Sequence, residues 1–170
     1  IKETTKDEAN DLFTIPAYLA KMLENKWLGS KTKQGFYKKA EKDGRKIFPT
    51  LDCKTLEYTE DPKPRFAVFE KAKEIDDLRK RMPVLFADET KVGAFYRSSF
   101  YSLFQFTSNR IPEITDEIYK VDDAMNAGFG WKLGPFQTWD AVGVPETVKA
   151  MEEAGKKPAQ WVYDMLDASI

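Results

Sequence analysis

The 170-residue sequence predicts a mostly α-helical chain carrying one short β-hairpin. Three observations lead there. Apolar residues recur at three-and-four spacing along most of the chain, the period of a helix with one buried face. Prolines and glycines cluster where such segments would start and stop. One Asp-Gly pair, Asp43-Gly44, separates the strand-like runs "GFYKKAE" and "RKIFP", a strong short-range hairpin signal.

Taken in order, "KDEANDLFTIPAYLAKMLENKWLG" reads as helix with Leu12, Phe13, Ile15, Leu19, Met22 and Leu23 on a buried face. Pro16 is expected to start a new segment within it, and Gly29 to cap its C-terminus. After the hairpin, "EDPKPR" reads as a linker, with the boundary at 61–64. The expected organisation is therefore 1–60 and 61–170. The second part opens with one or two amphipathic helices, broken near Pro83. A helix follows that is apolar nearly all round, through Phe95, Tyr96, Phe100, Tyr101, Leu103, Phe104 and Phe106; it must be central or lie in an interface. Thr115 is the expected N-cap of the next helix, with Ile118, Val121 and Met125 on one face and Gly128 at its end. A short helix starts at Pro135, and two more open at their own prolines.

Composition excludes several functions. The formal net charge is −1, so there is no basic footprint for nucleic acid and no polybasic membrane patch. Cys53 is the one cysteine, which leaves no intrachain disulfide and no cysteine-based zinc site, and a cytoplasmic location is expected. No apolar run approaches the length of a membrane span. The chain has no histidine, which removes His-based triads, imidazole bases and imidazole metal ligands. It begins with Ile1 and a polar stretch, as a piece of something longer would. Phe, Tyr and Trp total 14%, a supply that points first to a crowded core and second to a protein or ligand contact.

The residues 122–143, "DDAMNAGFGWKLGPFQTWDAVG", combine glycines and aromatics at a density that suggests a ligand cradle. Gly128, Gly130 and Gly134 nevertheless miss the dinucleotide fingerprint by one residue, and they follow a helix rather than a strand. Corner-turning glycines between packed helices are the expectation, with Pro135 starting the next helix. Asp122 and Asp123 are adjacent and point in different directions on a helix. Asp140 is expected to be a buried carboxylate capping a neighbouring helix. Lys31, Lys33, Lys38 and Lys39 could meet a phosphate-bearing ligand such as coenzyme A, or be solvated loop charges. Cys53 and Ser108 lack a base partner. The residues alone give no self-contained active site.

At "LGSKTKQGFYKK" and "IYKVDDAMNAGFGWKLGPFQTWDAVGV" the sequence resembles the C-terminal region of the 3-hydroxyacyl-CoA dehydrogenases of fatty-acid β-oxidation. The first phrase is carried by Leu28, Gly29, Lys31, Thr32, Gly35, Phe36 and Tyr37. The second is carried by Asp122 or Asp123, Ala124, Met125, Gly128, Gly130, Gly134, Pro135, Phe136, Asp140 and Gly143. The tail phrase comes before the middle phrase, so the order resembles the end of a first helical unit followed by most of a second. That layout is similar to the long multifunctional dehydrogenases that also carry enoyl-CoA hydratase. The resemblance implies the helical C-terminal fold and an NAD-dependent oxidoreductase acting on acyl-CoA as the parent. It implies a nucleotide-binding domain and a first helical unit as partners in the same chain, and a homo-oligomer. The family's His–Glu pair and Gly-rich loop are missing, so neither a catalytic residue nor a cofactor or metal site is assigned here, and this portion alone is expected to be inactive. Candidates for acyl-CoA or interface contacts are Lys31, Lys33, Phe100, Phe104, Phe129 and Trp131. Gly128, Gly130, Gly134, Pro135 and Asp140 are assigned to turns and caps. The competing expectation is a free-standing helical binding module, such as an acyl-CoA carrier or dimerisation domain.

Overall fold

Helices dominate, as the periodicity predicts, in the computed structural model of the chain, which describes residues 2–4, 6–60 and 64–168. The chain divides into two units, Ile1–Pro64 and Arg65–Ile170. Ile1 and most of the expected linker, residues 61–63, lie outside the described residues.

The first unit is less helical than expected of residues 6–29, although Pro16 does start a new segment as expected. A 3₁₀ turn covers Asn10–Phe13, and α1 covers Ala17–Glu24 with Pro16 as its N-cap. Glycine is not what ends α1. Lys26 takes the left-handed conformation at φ 58°, and the Trp27 N–H donates to Met22 O at 2.8 Å, closing a Schellman turn. Of the expected buried face only Met22 is buried; Leu12 stays 71% exposed and Ile15 58% exposed, because this unit supplies nothing to cover them. The hairpin forms where Asp43-Gly44 placed it. Strands β1 (Ala40–Lys42) and β2 (Arg45–Ile47) pair antiparallel, and both turn residues take positive φ, 50° and 72°. A second antiparallel pair, β3 (Thr50–Leu51) with β4 (Tyr58–Thr59), has no counterpart in the sequence reading. Strands of two residues carry no readable alternation.

In the second unit, α2 (Ala67–Lys73) and α3 (Leu78–Phe86) are separated before Pro83, not at it. Asp77 restarts the chain by accepting the Arg79 N–H at 2.9 Å, and Pro83 sits inside α3 with one backbone hydrogen bond forgone. The long helix α4 (Lys91–Asn109) buries one face, through Val92, Tyr101, Phe104 and Ser108, and leaves Phe95 67% exposed. Then come α5 (Ile118–Phe129), α6 (Pro135–Val142), α7 (Val144–Glu153) and α8 (Gln160–Ala168). Thr115 stands two residues before the true N-cap of α5, Glu117, and accepts its N–H at 3.2 Å.

Helix α6 touches α3, α4, α5 and α7. Its Trp139 stacks on Phe104 at 4.7 Å between ring centroids, nearly parallel, at the centre of a core that includes Phe86, Met151 and Val162. Ser108 ties α4 to α8: its hydroxyl accepts the Ala159 N–H at 3.1 Å, and its carbonyl accepts Trp161 Nε1 at 3.0 Å. The aromatic helix is thus central, and Phe104, a candidate contact residue, has no exposed surface to offer. Among the described residues no helix is long and apolar enough to cross a membrane. Truncating Phe104 to Ala should cost about 3–5 kcal/mol in urea unfolding. The same change at Phe95 should cost under about 0.5 kcal/mol.

Candidate functional site

The corner between α5 and α6 answers the question raised by its glycines. Gly134 is the N-cap of α6 and has no side chain with which to cap it. Asp122, one turn into α5, supplies the cap across 12 residues of chain: its carboxylate accepts Phe136 N–H at 2.9 Å and Gln137 N–H at 3.1 Å. Gln137 returns a bond, its Oε1 accepting the Gly134 N–H at 3.1 Å. The carboxylate presses so close that a Cβ on Gly134 would lie 2.2 Å from Asp122 Oδ1. Glycine is required there by contact, not by φ. Gly130 is required by conformation, since it ends α5 at φ 67°. Gly128 is neither, and it lies inside α5 with open space around it.

Two assignments are therefore corrected. Gly128 does not end α5; Gly130 does. The buried capping carboxylate is Asp122, while Asp140 is exposed. Asp140 follows Trp139 in sequence, but on α6 the burial of Trp139 turns its neighbour outward. Pro135 occupies the first turn of α6, as assigned, where its missing N–H is no loss. The corner does not fit a dinucleotide: the helix N-terminus that would meet a pyrophosphate is already held by a carboxylate.

Beside this corner the fold brings together two of the candidate contact residues. Phe100 of α4 and Trp131 of the α5–α6 turn line one apolar cavity of about 200 Å³ with Leu78, Met82, Leu133 and Thr138. A neighbouring polar cleft of about 370 Å³ shares Leu78, Lys132 and Leu133 and adds Asp76, Asp77, Arg79, Asn126 and Gln137. Asn126 Oδ1 is buried without a hydrogen-bond partner among the described residues. Apolar and polar compartments thus meet at Lys132 and Leu133, neither of which the sequence reading singled out. Phe129, another candidate, is exposed at the end of α5 and does not line this cavity. No group of acidic and cysteine side chains suited to a metal ion occurs among the described residues.

In the first unit, "LGSKTKQGFY" folds as a closed loop. Gly29 and Gln34 exchange backbone bonds at 2.8 and 3.2 Å, and Thr32 Oγ1 accepts the Leu28 N–H at 3.0 Å. Gly35 packs against the Gly29 backbone, where a Cβ would sit 2.7 Å from its Cα. The Tyr58 hydroxyl donates to Gly35 O, and Leu51 N–H donates to Phe36 O at 2.8 Å. The lysines separate. Lys33 and Lys39 line a pocket of about 520 Å³. Lys38 lies over the Tyr58 ring at 5.7 Å, and Lys31 is exposed away from the pocket lining.

Both dehydrogenase-like phrases therefore have defined structural work, and the similarity to known proteins extends well beyond them. A Bacillus subtilis protein named as a probable 3-hydroxyacyl-CoA dehydrogenase is 35% identical over 160 residues, covering 94% of this chain and 20% of the relative. The chain matches the C-terminal region of a 3-hydroxyacyl-CoA dehydrogenase. Proteins of Rickettsia felis and Rickettsia prowazekii that bear the name of a fatty acid oxidation complex trifunctional enzyme are 25% and 23% identical over 131 residues, 77% of this chain and 17% of each relative. The chain spans about a fifth of the length of the curated relatives it matches. No family model matches it, and no solved structure matches it at a significant level. The mostly helical architecture agrees with the dehydrogenase C-terminal type.

The corner of this dehydrogenase-like unit yields three tests. Gly134→Ala should destabilise by about 1–3 kcal/mol through the clash with Asp122. Gly128→Ala should be neutral or stabilise by up to about 1 kcal/mol, since it removes a helical glycine without a clash. Burial pushes the Asp122 carboxyl above its ordinary value of 3.8, against the pull of the Phe136 and Gln137 amides and with added repulsion from Asp140 and Asp123. A raised folded-state pKa contributes stability that is full below the unfolded value and is lost as pH rises through the folded one. The advantage of the native chain over Asp122→Asn, about 1–3 kcal/mol at neutral pH, should therefore grow as pH falls toward 3.8. Urea midpoints across that range measure it, and an advantage that shrinks on acidification would contradict the raised value.

Proposed function

We propose that this chain is the helical C-terminal portion of an NAD-dependent (S)-3-hydroxyacyl-CoA dehydrogenase of fatty-acid β-oxidation. The longer protein would oxidise 3-hydroxyacyl-CoA to 3-oxoacyl-CoA with NAD as hydride acceptor. The observation that carries this reading is the 35% identity over 94% of the chain. Its own residues would bind and pack rather than react, since no histidine is present to serve as an imidazole base.

The imbalance of the first unit supports the packing role. Leu12, Phe13, Ile15, Leu23, Leu28 and Phe36 are exposed, and Met22 and Leu51 are its buried hydrophobics. Exposed apolar side chains in such number suit packing against further polypeptide. The nucleotide-binding domain and first helical unit of the longer protein are the partners we assign to it. The Phe100–Trp131 cavity, which shares Leu78, Lys132 and Leu133 with the polar cleft that Arg79 lines, is the part of the second unit suited to an apolar chain with a polar head. Subunit contacts, which the family resemblance implies, fall to exposed side chains such as Phe95 and Phe129 rather than to Phe104.

The test compares the full-length protein with this chain alone, following NADH formation from a 3-hydroxyacyl-CoA. The full-length protein should turn over and this chain should not. Leu12→Asp with Ile15→Asp should reduce soluble, active full-length protein several-fold. A full-length protein without NAD reduction would overturn the reading. Binding of acyl-CoA by this chain alone at micromolar affinity, about −8 kcal/mol, would favour a free-standing acyl-CoA carrier instead.

A further inference from the structure

The first unit carries a second kind of surface that the packing role does not use. Its apolar residues Leu12, Ile15 and Leu23 form no part of the pocket enclosed by Gly29, Ser30, Lys33, Tyr37, Lys39 and Phe48. That pocket holds about 520 Å³, within the size of small-molecule sites. Its charged side chains are both lysines, and no carboxylate lines it. Neither lysine has an ion-pair partner among the described residues. Its other large side chains are aromatic, and Tyr37 and Phe48 stand 64% and 63% exposed, more open than a ring needs to be if it only supports a loop.

The walls are built by backbone bonds. Lys33 is fixed at φ 61° between the Gly29–Gln34 exchange and Gly35. Tyr37 is bridged to Thr50, and the Lys38 N–H donates to Pro49 O at 3.1 Å, which holds the segment carrying Lys39 next to the strand that follows Phe48. Ring faces attract flat π-systems, and paired ammonium groups attract a multiply charged anion.

We propose that this pocket binds a nucleoside phosphate, its base against Tyr37 and Phe48 and its phosphate held by Lys33 and Lys39. The site goes beyond the dehydrogenase reading and shares no lining residue with the Phe100–Trp131 cavity. It requires no turnover, so its failure and the failure of that reading are separable.

Isothermal titration of this chain with ADP tests it, with adenosine and inorganic phosphate as separate probes. ADP should bind with a dissociation constant below about 1 mM, more weakly as salt is raised, while adenosine and phosphate each bind at least roughly tenfold more weakly. Lys33→Ala and Lys39→Ala, both at exposed positions, should each weaken ADP binding roughly tenfold with unchanged circular dichroism. Phe48→Leu, which keeps an apolar side chain but removes the ring, should weaken ADP and adenosine together. Absence of ADP binding at millimolar concentration would overturn the proposal. So would ADP affinity unchanged in both lysine variants, or phosphate binding as tight as ADP, which would mark an unspecific basic patch.

Discussion

The second unit is organised around one carboxylate. Asp122 caps α6 from another helix, and α6 in turn meets α3, α4, α5 and α7. Placing the start of α6 fixes where Phe136 and Trp139 fall, and Trp139 stacks on Phe104 in the core. A helix of only eight residues has little intrinsic stability in water. Two hydrogen bonds from its first free amides to the Asp122 carboxylate fix where it starts, and burial of Phe136 and Trp139 holds it in the core. The arrangement demands glycine at residue 134 because the carboxylate occupies the space of its side chain. The cap therefore explains a sequence phrase that otherwise looks like a phosphate cradle. It also explains why that phrase couples an aspartate to a Gly-Pro-Phe a dozen residues later.

The two units solve the problem of burial differently. Arg65–Ile170 encloses a continuous core from Val68 to Val162. Ile1–Pro64 is held by backbone pairing in its loop and hairpins, with a few aromatic contacts such as Trp27 on Tyr58 at 5.8 Å. Hydrogen bonding can fix the shape of such a unit, but each bond contributes modestly, and the main driving force of folding is apolar burial. The exposed Leu12, Ile15 and Leu23 show where that burial is missing.

Local signals were the ones most legible in the sequence. The proline at residue 135 and the Asp43-Gly44 turn act over a few residues, and both appear in the structure where the sequence placed them, whereas the helical period of residues 6–29 yields only a 3₁₀ turn and the short α1. The mostly helical class follows from the same local preferences. What sequence alone left hidden was every choice between chemically equivalent residues. Asp122 and Asp140 are both carboxylates near aromatic neighbours, but the packing of α5 on α6 buries the first and exposes the second. Phe95 and Phe104 are both rings on α4, and their positions around the helix give them opposite fates. A signal for the cap did exist: a glycine at an N-cap cannot cap its own helix, so a distant acceptor had to be sought.

The sequence by itself determined the helical class, the hairpin turn, the absence of imidazole side chains from this chain and the resemblance to the dehydrogenases, because all four depend on residue identity or on short-range backbone preference. The tertiary structure alone decided which carboxylate caps α6, which aromatic side chains fill the core, and which lysines share a pocket. Those outcomes depend on distances between segments far apart in the chain. Such distances are set by packing, and no local pattern encodes them.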